Sequence, residues 1–270
     1  MNFRFDVIVI GDSKSGHNII DKLATSRQNI KIAFISKAFK STTSHDYLNV
    51  KYFRDEVEYL NYRYRLFSCH MKNGDCIFST HVVIASGLDY KPLMVNNKPV
   101  QMAFNSTDDI PNTVNDQTSL VIYNQDSDVK LAIEAAKKYK HVYLCTKELE
   151  LAKHISQAAA KKLAKSENIT ILPNTSIKNI ICDESSALNK VEFDNYSEIM
   201  CSAILVKTDS KPAVNYIPRK IICREEDNYL VVNDNCESTL VPKCFAAGSC
   251  LKKYTKAMEQ KLIESILKDF

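Results

Sequence analysis

Apolar residues in this chain fall into short continuous blocks separated by stretches with a helical period. The block "FDVIVI" (5–10) has no polar alternation, which predicts a parallel strand buried on both faces. A helix is predicted over about 15–26, with Ile19, Ile20, Leu23 and Ala24 on one face. "IKIAFIS" (30–36) is a second buried strand, so the opening of the chain reads as one βαβ unit. Polar residues at 41–44 predict a loop. From Val50 to Ile84 the pattern predicts antiparallel strands, with a hairpin turn at Asn73-Gly74 that would set Met71 opposite Cys76. "HVVIASGLDYKP" (81–92) predicts another strand, ending in a turn at Gly87.

A second βαβ unit follows: strand "SLVIY" from Ser119, helix 129–139 and strand 141–146. Beyond it the pattern predicts a helix over 150–165, a strand at 169–172 and a β-meander from "IKNIIC" and "KVEFDN". The tail shows a strand "YLVVN" (229–233), the segment "VPKCFAAGSC" (241–250) and a last amphipathic helix with Met258, Leu262, Ile263 and Ile266 inward. Two βαβ units separated by antiparallel strands imply an α/β fold of two Rossmann-like modules.

Composition narrows the function classes. The chain has 270 residues, 45% apolar and 25% charged, ordinary values for a globular protein of one or two domains. The net charge of +4 is mild and the lysines are spread along the sequence, so no nucleic-acid partner is expected. No apolar run approaches a membrane span and no signal-peptide pattern opens the chain, which predicts a cytoplasmic protein without a membrane partner. Nine cysteines occur without any C-x-x-C spacing, which predicts buried free thiols in a reducing compartment. The six histidines show no metal-ligand spacing. Only five glycines are present, against about 19 expected from average usage. Few places remain where backbone could cradle a phosphate.

Those glycines fall at informative points. "VIGDSKSG" (9–16) is nearly the G-x-G-x-x-G turn of a dinucleotide site, with Gly11 and Gly16 kept and Ser13 at the middle position. Together with "VVIASG" (82–87), "SLVIYNQDSDVKLAIEAAKKYKHVYLCTKELELA" and "DNYLVVNDNCESTLVPKCFAAGSC", it resembles the low-molecular-weight thioredoxin reductases and their two-dinucleotide-binding-domain flavoprotein relatives. The order of these pieces matches over nearly the whole chain. The resemblance implies an FAD-type domain split over 1–112 and 211–270, with an NAD(P)-type domain inserted at 113–210, each with β-β-α layering. It also implies FAD contacts at Gly11, Ser13, Gly16, Ser36, Gly87, Gly248 and Ser249. In the family NADPH reduces FAD, and FAD reduces a cysteine pair that in turn reduces a partner disulfide.

The residues present depart from that chemistry. Ser13 puts a Cβ where the family's middle glycine lets backbone approach the pyrophosphate. Ser36 stands where the family has a ribose-binding carboxylate, and Ser249 where it has the aspartate that contacts the ribityl chain. Each lost charge-assisted hydrogen bond lowers affinity by about 10- to 100-fold. FAD binding is therefore expected to be weak or lost. The NADPH turn reads "NQDSD" (124–128), with no glycine and with two acids, Asp126 and Asp128. Each carboxylate would repel a phosphate by roughly 3 kcal/mol at an effective dielectric near 20. Lys147 is the one cation in "CTKELEL", and Leu151 stands at the later arginine position of the family's 2′-phosphate site. NADPH is not expected to bind.

The cysteine pair is missing outright, since "STDDIPNTVNDQTS" (106–119) holds no cysteine. No catalytic residue is assigned. The expectation is a thioredoxin-reductase-like protein whose disulfide reductase activity is lost and which acts as a binding or regulatory module, pairing with a protein partner or with itself. The alternatives are an active FAD-dependent oxidoreductase reduced by a partner or an atypical donor, and an adenine-nucleotide binder using only the first βαβ unit.

Overall fold

A computed structural model describes the chain except for residues 1, 28, 38–46, 101–102, 108–109, 111–117, 123–125, 184–187 and 196. The described chain divides into two compact units, Met1–Asp89 with Ser210–Phe270, and Tyr90–Asp209. The first crossing falls at Asp89, where the resemblance implies 112.

In chain order the first unit holds β1 (Asn2–Ile10), α1 (Lys14–Ser26), β2 (Ile32–Ser36), β3 (Val50–Arg54), β4 (Val57–Arg63), β5 (Leu66–Met71), β6 (Cys76–Ile84) and β7 (Leu88–Tyr90). The second holds the small hairpin β8 (Met94–Val95) and β9 (Lys98–Pro99), then β10 (Ala103–Phe104), β11 (Thr118–Ile122), α2 (Asp126–Ala135), β12 (His141–Cys145), α3 (Gln157–Ala164) and β13 (Ile169–Leu172). It closes with β14 (Ile177–Asp183), β15 (Leu188–Phe193), β16 (Glu198–Cys201) and β17 (Ala203–Leu205). The chain returns to the first unit through β18 (Ser210–Pro212), β19 (Cys244–Ala246) and α4 (Lys256–Leu267).

The first unit is built on a seven-stranded sheet in the order β3-β2-β1-β6-β5-β4. Strand β6 does two jobs: its first half pairs antiparallel with β5, and its last three residues pair parallel with β19. The apolar block of β1 divides between two cores as alternation requires. Val7 and Val9 pack with Ile19, Leu23, Phe34 and Leu262 under α1 and α4. Ile8 and Ile10 face Leu60, Phe67, Val214 and Ile221 on the other side. That second covering layer is partly irregular chain rather than a separate sheet.

Several sequence expectations are corrected here. β3 pairs parallel with β2 through Ile32↔Val50 to Ser36↔Arg54, so only β4 to β6 form the antiparallel part. The hairpin turn is longer than a two-residue loop, with Gly74 N donating to Met71 O and Met71 N to Asp75 O. The register therefore sets His70, not Met71, opposite Cys76. "YLVVN" forms no strand: Leu230 N donates to Cys250 O and Val231 N to Cys223 O, so these amides are satisfied by loops on both sides.

The second unit carries a parallel five-stranded sheet, β10-β17-β11-β12-β13. Helices α2 and α3 cover one face through Val129, Ala132 and Leu163. The antiparallel sheet β14-β15-β16 covers the other through Val191, Phe193 and Cys201, which gives the expected meander and the β-β-α layering. α2 starts earlier than its apolar period suggests. The predicted helix at 150–165 is split, because Ser156 Oγ accepts from Ala159 N at 3.2 Å and starts α3 there. A short 3₁₀ turn at Leu151–Lys153 precedes it.

A buried histidine ties the C-terminus to β6. His81 is 1% exposed, its Nε2 lies 2.9 Å from Asp269 Oδ2, and Lys243 Nζ reaches the same oxygen at 2.8 Å. Burial pushes the His81 imidazole below its ordinary value, with Asp269 partly offsetting it. The unfolded chain then binds more protons just below about pH 6.5, so this contribution to stability is complete above that pH and falls as acid is added. Thermal melts from neutral to about pH 5 should show a falling Tm, with a shallower slope in His81→Gln.

Candidate functional site

The strand-to-helix turn after β1 is where four of the five glycines meet. Gly11 has φ +108°, and a Cβ there would stand 2.4 Å from Ala85 O, at the end of β6. A Cβ on Gly16 would lie 2.5 Å from Gly11 O, and one on Gly248 would lie 3.1 Å from Ser15 Oγ. At Gly87 the nearest atom is Ser249 Oγ, 3.6 Å from the Cβ position. Gly11, Ser13, Gly16, Gly87, Gly248 and Ser249 are thus brought to one place, the carboxyl ends of β1, β6 and β19. Ser36 ends β2 beside them in the sheet, and is buried.

These contacts separate two kinds of glycine. Gly11, Gly16 and Gly248 each fit against the protein itself. At the middle position of the fingerprint the chain carries the half-buried Ser13. Its Oγ accepts from Gly16 N at 3.1 Å, capping α1, while Ser13 O accepts from His17 N. One of the amides a helix start offers to an anion is therefore engaged by the chain's own hydroxyl. Asp12 adds a carboxylate in the same turn. It pairs with His17, whose ring stands edge-on to Phe34 with centroids 5.1 Å apart. Asp12, His17 and Ser15 were not singled out by any sequence pattern, because their five- and two-residue spacings match no ligand motif.

In the second unit, residues 124–125 of the nucleotide turn lie outside the described residues. α2 opens at Asp126, and Asp128 in its first turn is fully buried. Lys147 is exposed, whereas Leu151 is 4% exposed and packs in the core with Val142 and Leu163. The position that the resemblance assigns to a phosphate-binding arginine is a core position in this chain. Most of 106–119 also lies outside the described residues.

All eight described cysteines are free. Burial pushes the thiols of Cys145 and Cys236 up to about 11 and that of Cys250 up to about 12, and it raises Cys69 and Cys244 further still. Such thiols stay protonated and are poor nucleophiles. Among the described residues no group of His, Cys, Asp or Glu could hold a metal ion, and no helix is long and apolar enough to cross a membrane.

A parallel sheet flanked by helices, a glycine-pinned strand-to-helix turn, and a second module of the same design define a two-dinucleotide-domain oxidoreductase fold. The pyridine nucleotide-disulphide oxidoreductase family profile matches residues 17–248, and the chain belongs to that family. The fold is similar to that of thioredoxin reductase from T. acidophilum (17% identity, 98% of each chain covered, TM-score 0.66). It is also similar to the Lactococcus lactis enzyme (14%, 98% of each chain, 0.64) and to that of Streptococcus pyogenes MGAS5005 (15%, 100% of each chain, 0.61). No curated protein sequence matches the chain.

Proposed function

We propose that this chain keeps the backbone path of a thioredoxin-reductase-like oxidoreductase but has lost disulfide reductase activity, and that it serves as a binding or regulatory module for a protein partner. The observation that carries the reading is the sorting of glycines at the first turn. Gly11, Gly16 and Gly248, where a Cβ would crowd the protein, are retained, and the middle position of the fingerprint holds Ser13, hydrogen-bonded to Gly16. Asp12 sets a carboxylate beside the same helix start, and neither Ser36 nor Ser249 supplies charge. This donor set does not fit a flavin dinucleotide, and no reaction step is assigned through one.

The second module supports the same conclusion. Its helix begins with acids, its arginine position is the buried Leu151, and the chain has no cysteine in the segment where the family carries its pair. The activity test is NADPH oxidation with added FAD and a disulfide substrate, where no turnover is expected. Steady turnover that tracks enzyme concentration would favour the other reading, an active flavoprotein.

A further inference from the structure

The solvent face of the first unit's sheet carries a nucleophile and a base side by side. The register of β5 and β6 sets His70 directly opposite Cys76, so both side chains rise from one face. Cys76 Sγ lies 3.9 Å from His70 Nε2, and Ser68 Oγ lies 3.3 Å from the same nitrogen. His70 is exposed and Cys76 half-buried. Tyr59 on β4 opposes His70 with ring centroids 6.2 Å apart, and Asp75 precedes Cys76 and binds Asn73 in the turn. On β1, Arg4 pairs with Phe78, one step along the face, and residue 1 lies outside the described residues. Cys69, next to His70 in sequence, points into the opposite core.

We propose that Cys76 and His70 form a reactive thiol–imidazole pair through which the chain accepts a low-molecular-weight disulfide onto Cys76. His70 Nε2 takes the thiol proton as the Cys76 sulfur attacks one sulfur of the disulfide. The S–S bond breaks, a mixed disulfide forms on Cys76, and the departing thiolate takes the proton from His70 and leaves as a thiol. One disulfide is exchanged for another, so no further oxidant is required. The base matters because Cys76 is half-buried, and its thiol is pushed up by that burial. Free thiolate is therefore scarce near neutral pH. Cys223 is also half-buried and carries no such histidine partner among the described residues.

The test incubates the whole reduced chain with oxidised glutathione and follows modification of Cys76 and Cys223 by peptide mass spectrometry across about pH 5 to 9. Modification of Cys76 should already be fast at neutral pH, well below the thiol range, and then level off. His70→Asn should slow Cys76 on the order of 10- to 100-fold at neutral pH and move its rise into the thiol range above about 8.5. Cys223 should be unchanged, which also reports that the fold is intact. Two results overturn the proposal: a Cys76 profile in the wild type that climbs only in the thiol range, or a His70→Asn profile indistinguishable from the wild type.

Discussion

Gly11→Ala is expected to lose about 4 kcal/mol of stability, among the largest effects a single methyl group can have. Two penalties act at once. The backbone at Gly11 sits at φ +108°, a conformation that costs an L-residue about 1–3 kcal/mol. The added carbon would also stand 2.4 Å from both Ala85 O and Ser86 Cα, backbone atoms that can yield only if β6 moves away from β1. The two strands share the longest parallel register among the described residues, Asn2↔Cys76 to Ile10↔Ile84. Gly74→Ala is the control, because Gly74 has φ +88° but nothing within 4 Å of its Cβ position. It should cost about 1 kcal/mol. Urea unfolding of the two variants measures the difference, and equal midpoints would contradict the steric account.

The double variant Ser13→Gly with Ser249→Asp should raise FAD affinity about 10- to 100-fold or more over the wild type. Ser13→Gly removes the side chain that engages Gly16 N, at a cost of only a few tenths of a kcal/mol to the helix cap. Ser249 is exposed, so an aspartate there meets no packing penalty. It would restore a charged acceptor beside Gly87. Ser36 is a poorer site for the same repair, because it is buried at the end of β2 and a carboxylate there would be desolvated before any ligand arrived. Equilibrium titration of FAD fluorescence reads the gain. An unchanged affinity would mean that these two side chains are not what separates this turn from a flavin site.

How much was legible in the sequence depended on the kind of signal. Continuous apolar blocks such as "FDVIVI" and "SLVIY" identified the buried parallel strands, since a strand covered on both faces leaves no room for polar alternation. The glycine fingerprint located the turn. Strand partners were harder: residues 50–54 read as antiparallel, and β3 proved to extend the parallel edge, a pairing set by long-range contacts. A one-residue difference in turn length hid the His70–Cys76 pairing, since slipping the register by one exchanges the two faces. "YLVVN" has strand composition, yet its amides bond to Cys223 and Cys250 instead of a ladder. Composition alone could not foresee that long-range choice. The Asp12–His17 pair and the division of glycines by what they touch required coordinates, because sequence shows that a glycine is present but not which neighbour demands it.

The most direct test of the whole account is the flavin content of freshly purified, unreconstituted protein. A colourless preparation without stoichiometric FAD is the predicted result. Stoichiometric FAD released on denaturation, with the yellow absorption band of a bound flavin beforehand, would contradict it.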